Sequence, residues 1–255
     1  MYAAERRAAL AQRLTVQGRV SVLEAADEFG VSGETVRRDL AALERSGVAR
    51  RVHGGAVARS AVQAVELGLS EREERRVSQK ARIASAAVGG QELDGGSMII
   101  DAGTTTTALV EVLPADRSLV AFAHGIVTAA LLARTEHVDL HVIGGHVRGT
   151  TAAAVGTETV AAYERIGVDV AFVGANGISP ERGLTTVDFE EAAVKRTILR
   201  RARRTVVLAD SSKLEQDFIV TFGAIEHVDV LVTDDEADPT AVTRLRDAGV
   251  EVVLA

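Results

Sequence analysis

Residues 19–55 constrain this chain more than any other stretch. They run Arg19-Val20-Ser21-Val22-Leu23, Glu24-Ala25-Ala26-Asp27-Glu28-Phe29, Gly30-Val31-Ser32 and Gly33-Glu34-Thr35-Val36-Arg37-Arg38-Asp39-Leu40. The stretch closes on Arg50-Arg51-Val52-His53-Gly54-Gly55. Ser21 suits the cap of a helix ending near Phe29, where Gly30 tolerates a left-handed turn. Ser32 caps a second helix that turns Val36, Leu40 and Leu43 inward and stops at Gly47. Val48 to Val57 reads as two short strands joined near His53-Gly54-Gly55, a wing. A helix, a tight turn, a second helix with arginines near its start and a basic hairpin tip suit a major groove rather than an active site. Ahead of them, Ala8, Leu10, Ala11 and Leu14 predict a first helix over residues 4–17.

The charge distribution agrees with that order. The net charge of the 255 residues is -7, yet residues 1–60 hold ten Arg against seven Asp or Glu, or +3. The rest holds nineteen Arg or Lys against twenty-nine Asp or Glu, or -10. A small basic head on an acidic body fits DNA binding by one end. So modest a charge needs two heads on one operator for specific affinity, which predicts a homodimer or homotetramer.

Cysteine is absent, which excludes disulfides, thiolate metal sites and cysteine catalysis and fits a reducing cytosol. No apolar run approaches a membrane span, so a soluble, cytoplasmic protein without a membrane partner is expected. Aromatic residues are 3%, too few for platforms that stack single-stranded bases. Only Lys80, Lys195 and Lys213 are lysines, against twenty-six arginines. A general preference for arginine explains the bias. The lysines that remain are suspect as functional groups, because a compact ammonium is not replaced by a planar guanidinium.

The texture changes at residue 97. Apolar runs at 98–100, 119–122, 140–143, 170–173, 206–209 and 230–232 alternate with helical stretches such as Thr105 to Leu113, Ile126 to Arg134 and Glu190 to Ala202. Continuous apolar strands between helices predict a mainly parallel α/β sheet covered on both faces. The expected organisation is a winged helix-turn-helix over 1–57, a linker over 58–75 and an α/β sensing domain over 76–255. A helix from Glu71 to Val88 leads into the last.

The chemically richest motif of the body is Ile100-Asp101-Ala102-Gly103-Thr104-Thr105-Thr106-Thr107. It follows a strand and opens a helix, where backbone N–H groups and hydroxyls attract an anion such as phosphate. A nucleotide P-loop is excluded because no Gly-Lys-Ser/Thr follows. A dinucleotide site is not indicated, since no G-x-G-x-x-G opens a helix. Further loops follow later strands: Gly144-Gly145-His146-Val147-Arg148, Gly174-Ala175-Asn176-Gly177-Ile178 and Asp210-Ser211-Ser212-Lys213. Loops at the carboxyl ends of such strands converge on one crevice. The expected effector-binding residues are Asp101, Gly103, Thr104, Thr105, Thr106, His124, Arg148, Asn176, Gly177, Lys195, Asp210 and Lys213. On the head, Ser32, Glu34, Thr35, Arg37, Arg38, Arg50, Arg51 and His53 are expected at double-stranded DNA. Arg37 and Arg38 suit either guanine edges or phosphates. Arg50 and Arg51 suit the backbone or the minor groove, and Asp39 is placed to orient a neighbouring arginine.

Taken together, these residues resemble the DeoR family of bacterial transcriptional regulators along nearly the whole chain. The head carries the likeness through Val31-Ser32, Thr35-Val36-Arg37-Arg38-Asp39-Leu40, Leu43-Glu44 and His53-Gly54-Gly55-Ala56. The body carries it through Asp101 to Thr106, Gly144-Gly145 with Arg148, Gly174 to Ile178, Gly183-Leu184-Thr185, Lys195, Asp210, Ser212 and Lys213. The resemblance implies a sensor domain similar to ribose-phosphate isomerases and coenzyme A transferases, with a phosphorylated sugar as inducer. Met1-Tyr2-Ala3, Arg182 to Thr186 and Glu191 to Arg196 look closest to actinobacterial fructose-operon repressors, so fructose 1-phosphate is the first effector to try. One departure stands out: Ala123-His124 occupies the place of the family's usual Thr-Asn.

Two other classes compete. A phosphosugar isomerase with a DNA-binding arm needs a positioned base, for which Asp101 and Asp210 are the candidates. A metal-responsive regulator would draw on the six histidines, but His137 and His141 fall at a strand, where a four-residue spacing forms no helical pair.

Overall fold

The computed structural model describes residues 3–17, 19–45, 49–52, 55–58, 68–90 and 96–255. The chain divides into two units, Met1–Val65 and Glu66–Ala255.

In the first unit, α1 (Ala3–Gln17), α2 (Val22–Phe29) and α3 (Gly33–Arg45) enclose Leu10, Leu14, Val22, Ala25, Val36, Leu40 and Leu43. The caps act as their residue types require. Ser21 Oγ accepts the Glu24 N–H at 3.5 Å, and Gly30 ends α2 at φ 62°. Ser32 Oγ accepts the Thr35 N–H at 3.2 Å at the start of α3. The wing is β2 (Ala49–Val52) antiparallel to β3 (Gly55–Ala58). It has a third member that the sequence pattern does not announce. β1 (Arg19–Ser21) pairs with β3, setting Ser21 opposite Gly55. The approach is so close that a Cβ at Gly55 would stand 2.1 Å from the Val20 carbonyl oxygen. His53 lies outside the described residues.

The second unit opens differently from expectation. The single helix expected from Glu71 is two, α4 (Leu69–Glu74) and α5 (Val77–Gly89). Arg76 breaks them apart with a left-handed backbone, φ 51°. Residues 69–74, expected in the linker, are helical and belong to this unit. Their charged surface hides that role, because α4 carries no buried apolar face for a periodicity to reveal.

Seven parallel strands follow: β4 (Ser97–Ile100), β5 (Leu119–Ala123), β6 (Val138–Val142), β9 (Val168–Gly174), β12 (Ala202–Leu208), β14 (Val230–Thr233) and β15 (Glu251–Leu254). Their spatial order is β15-β14-β12-β9-β4-β5-β6. Strand side chains alternate between two cores, as a doubly covered sheet demands. Ile99, Ala171, Val173, Val207 and Leu231 face one, with Tyr163 of α8 (Thr157–Glu164), Ile198 of α9 (Phe189–Arg201) and Leu245 of α10 (Pro239–Asp247). Met98, Ile100, Phe172, Val206 and Leu208 face the other, with Ile83 and Ala87 of α5 and Leu132 of α7 (Ile126–Leu132). Within this sheet the expected and observed strands agree except β15, whose short Val252-Val253-Leu254 run offers little pattern.

The helix expected over Thr105 to Leu113 is instead one α turn, α6 (Thr104–Thr107), continued by a 3₁₀ segment over Ala108–Val112. Threonine hydroxyls compete for backbone groups and weaken the α form there. Beyond the main sheet, β7 (His146–Arg148) and β8 (Ala153–Val155) make a hairpin. β10 (Gly177–Ser179), β11 (Gly183–Thr186) and β13 (Val220–Gly223) make a small antiparallel sheet. Among the described residues, no helix is long and apolar enough to cross a membrane.

Candidate functional site

Strand order reverses between β4 and β9: the chain builds outward through β5 and β6, then returns to the other side of β4. Ligands of open α/β sheets settle at such a point, beyond the carboxyl ends of the strands. At or just past those ends stand His124, Asp101, Gly174, Asp210 and Asp234, on β5, β4, β9, β12 and β14 in that spatial order.

A cavity of about 310 Å³ opens there. Its wall takes Gly103, Thr104, Thr105 and Thr106 from the turn after β4, Asn176 from the loop after β9, and Asp210, Ser212 and Lys213 from the loop after β12. Glu191 and Lys195 come from α9, while Arg72, Arg75, Arg76 and Lys80 come from α4 and α5. All three lysines of the chain therefore line one cavity.

The threonines divide their work. Thr106 Oγ1 donates to the carbonyls of Asp101 and Gly103 at 2.7 and 2.9 Å, closing the turn. Thr107 Oγ1 bonds Thr128 Oγ1 at 2.7 Å. Thr104 and Thr105 make no such inward bond among the described residues, so theirs are the hydroxyls left for a guest. Thr186 Oγ1 donates to Asn176 Oδ1 at 2.8 Å, which leaves the amide N–H donors of Asn176 to offer.

Four expected effector contacts, Asp101, His124, Arg148 and Gly177, lie behind the wall rather than on it, and two of them, Asp101 and Arg148, bond residues that do face the cavity. Asp101 is fully buried, and its Oδ2 accepts from Lys195 Nζ and, at 2.8 Å, from the Gly174 N–H. Lys195 Nζ also donates to the Gly174 carbonyl at 2.9 Å. This trio locks the ends of β4 and β9 together across the reversal. A buried pair of this kind contributes geometry more dependably than stability.

His124 is buried beside it, with Nε2 3.5 Å from Asp101 Oδ1 and Nδ1 2.9 Å from the Tyr163 hydroxyl. Burial pushes its pKa below the ordinary value, against the opposite pull of Asp101. In a neutral ring one nitrogen donates and the other accepts, and the carboxylate beside Nε2 favours the tautomer with its proton there, leaving Nδ1 to accept from Tyr163. Arg148 points its guanidinium at Glu191, 2.6 Å away, and at Asp188, 3.3 Å away. Asp188 in turn caps α9 by accepting the N–H groups of Glu190 and Glu191 at 3.0 and 2.9 Å. Gly177 sits where a Cβ would stand 2.1 Å from the Gln216 carbonyl oxygen, so its role is close approach of backbones.

Residues 210–213 are braced by side chains. Asp210 Oδ1 accepts the Ser212 N–H at 3.1 Å, and Asp234 Oδ2 accepts that of Ser211 at 2.7 Å. Arg76 stitches the α4–α5 junction to this region, donating to Ser211 Oγ at 2.9 Å and Glu236 Oε2 at 3.1 Å, with Asp210 3.5 Å from its Nε. Burial pushes Lys213 below its ordinary pKa, with Asp210 opposing and Arg72, Arg75 and Arg76 adding to the shift. Lys80 moves the same way for the same leading reason. The arginines at 72, 75 and 76 and Glu191 are the lining residues that sequence reasoning missed. The four-residue spacing of Arg72, Arg76 and Lys80 was the available signal, but the break at Arg76 means that no single helix face carries it.

In the head, α3 exposes Glu34, Arg37 and Arg38. Glu34 pairs loosely with both arginines, at 3.4 and 3.8 Å. The Ser32 and Thr35 hydroxyls bond each other at 2.9 Å within the cap. Asp39 does orient an arginine, but the partner is Arg6 of α1, 2.6 Å away and buried, rather than a neighbour on α3. Arg50 and Arg51 lie on β2. Among the described residues no group of three or more His, Asp or Glu is placed to hold a metal ion, and His141 stacks on Phe122 at 4.8 Å.

A winged helix-turn-helix in one chain with an open α/β body that carries a polar cavity is the build of a ligand-responsive transcriptional regulator. Comparison with known families agrees: residues 6–62 match the DeoR-like helix-turn-helix domain and residues 75–235 the DeoR C-terminal sensor domain. The chain is 34% identical over 257 residues to the HTH-type transcriptional regulator GlpR of Haloferax volcanii, covering 99% of this chain and 98% of that one. It is 33% identical over 253 residues to the putative aga operon transcriptional repressor of Escherichia coli O157:H7, covering 98% and 93%. Among solved structures, ribose 5-phosphate isomerase A of Methanocaldococcus jannaschii is similar over 55% of this chain and 53% of its own, at 18% identity and a TM-score of 0.39. The chain belongs to the DeoR family of transcriptional regulators.

Proposed function

We propose that this protein represses a sugar-metabolism operon and leaves its operator when a phosphorylated sugar fills the cavity, with fructose 1-phosphate the first effector to try. The observation that carries the reading is the convergence of all three lysines on one cavity at the strand-order reversal. A phosphate meets ammonium and guanidinium groups there, while Thr104, Thr105 and the Asn176 amide suit sugar hydroxyls. The name of one relative, a putative operon repressor, supports repression as the direction.

On DNA, α3 enters the major groove and presents Glu34, Thr35, Arg37 and Arg38, with Ser32 at its cap and Arg50 and Arg51 on the wing, and His53 is a further contact expected from the sequence. Two heads act together in a homodimer or homotetramer, which light scattering on the purified protein checks. The central test is operator binding by fluorescence anisotropy on the protein's own promoter, with and without fructose 1-phosphate and other sugar phosphates. Operator affinity that no sugar phosphate alters would sink the sensing role.

A further inference from the structure

Arg72 lines the cavity, and two of its guanidinium nitrogens, Nε and Nη2, are sealed from solvent with no hydrogen-bond partner. Arginine stays charged at any ordinary pH, and a sealed cationic N–H without an acceptor is strongly unfavourable. The groups around it deepen the imbalance. Lys80 Nζ donates to the Arg72 carbonyl, an uncharged acceptor. Lys213 makes no hydrogen bond through its ammonium to any described residue.

Several of the nearby carboxylates are already committed. Glu71 pairs with Arg75 at 2.6 Å. Asp210 serves the Ser212 N–H and faces Arg76, which also has Asp234 at 3.7 Å and Glu236 at 3.1 Å. Arg72, Lys80 and Lys213 are left as three cations around one cavity wall, offset by a share of Asp210 and, at Lys80, by Glu73.

We propose that Arg72 is an effector-binding residue that forms, with Lys80 and Lys213, the seat for a dianionic phosphate in this cavity. The lowered pKa values of Lys80 and Lys213, caused first by burial, against the pull of Asp210, and then in part by Arg72, with Lys213 also acting on Lys80, fit a seat that is electrostatically incomplete. The seat has a consequence for signalling. Arg72 stands on α4, just after the boundary at Val65 where the first unit ends. The ligand's charge is thus held partly by the stretch of chain that leads out of the DNA-binding unit.

The inference rests on the reading that the cavity takes a phosphorylated sugar, and the test separates the two. Calorimetric titrations of the full-length protein with fructose 1-phosphate and with inorganic phosphate compare the wild type, Arg72→Gln and Arg82→Gln. Loss of one buried charge-assisted contact should weaken both ligands roughly ten- to a hundredfold in Arg72→Gln. Arg82→Gln, at an exposed residue that pairs with Asp235 away from the cavity, should stay within about threefold of wild type.

Without ligand, Arg72→Gln should melt at or above the wild-type temperature, because the substitution removes an uncompensated charge. A lower ligand-free melting point would mark Arg72 as structural and overturn the proposal. Affinities within about twofold of wild type in Arg72→Gln, or an equal loss in Arg82→Gln, would overturn it while leaving the cavity reading intact. A wild type that binds neither probe would overturn both.

Discussion

At the scale of single residues, the buried ionisable groups set two pH responses. His124 has its pKa pushed below the ordinary 6.5 by burial, so the folded protein refuses a proton that the unfolded chain accepts near that pH. Stability is therefore expected to fall as pH drops below 6.5, and His124→Asn should flatten the fall. Melting curves from about pH 7 to about pH 5.5 check this, and identical slopes for both proteins would refute it.

Lys213 works at the other end of the scale. Its pKa lies below the ordinary 10.5, so it loses its charge earlier than a solvated lysine as pH rises. Sugar-phosphate affinity should weaken with rising pH before the ordinary lysine range is reached. It should also weaken below about pH 6, where the phosphate takes its second proton. Lys213→Arg should keep the acid limb and lose much of the alkaline one, as read from titrations across pH.

At the scale of elements, close approach of backbones decides more than propensity does. Gly55 lets β3 lie against β1, and the Gly55→Ala Cβ would meet the Val20 carbonyl at 2.1 Å. That substitution should destabilise the head by on the order of 3 kcal/mol and abolish operator binding, while sugar-phosphate binding by the body persists. Anisotropy and calorimetry on the same preparation read the two outcomes. The caps at Ser21, Gly30 and Ser32 were legible because their bonds close within a few residues. β1 was not, because three residues carry no alternation and their pairing partner lies some thirty-five positions away. The break at Arg76 was hidden for a related reason. The partners of its guanidinium, Ser211 and Glu236, lie more than a hundred residues downstream.

At the scale of the whole molecule, two jobs sit in two units and should separate by mutation. Arg37→Ala or Arg38→Ala is expected to weaken operator binding roughly tenfold or more and leave sugar-phosphate affinity unchanged. Lys213→Ala should do the reverse. Equal losses in both assays from either change would point to misfolding and refute the division. The basic head on an acidic body anticipates this split, since only one end of the chain attracts a polyanion over distance.

What the residues determine alone is whatever local physics can enforce. Capping side chains and apolar periodicity laid out the helix-turn-helix, the parallel strands and the loops at their carboxyl ends, and the scarcity of lysine singled out Lys80, Lys195 and Lys213. Tertiary structure alone decided which groups meet. It turned Asp101 to Lys195 and Gly174, His124 to Tyr163, Arg148 to Glu191 and Asp39 to Arg6, and it brought Arg72 from a stretch expected to be linker into the cavity wall. The reason is physical: hydrogen bonds within a turn are specified by neighbours in sequence, whereas the partner of a buried charge is set by strand order and helix placement, which bring distant positions together.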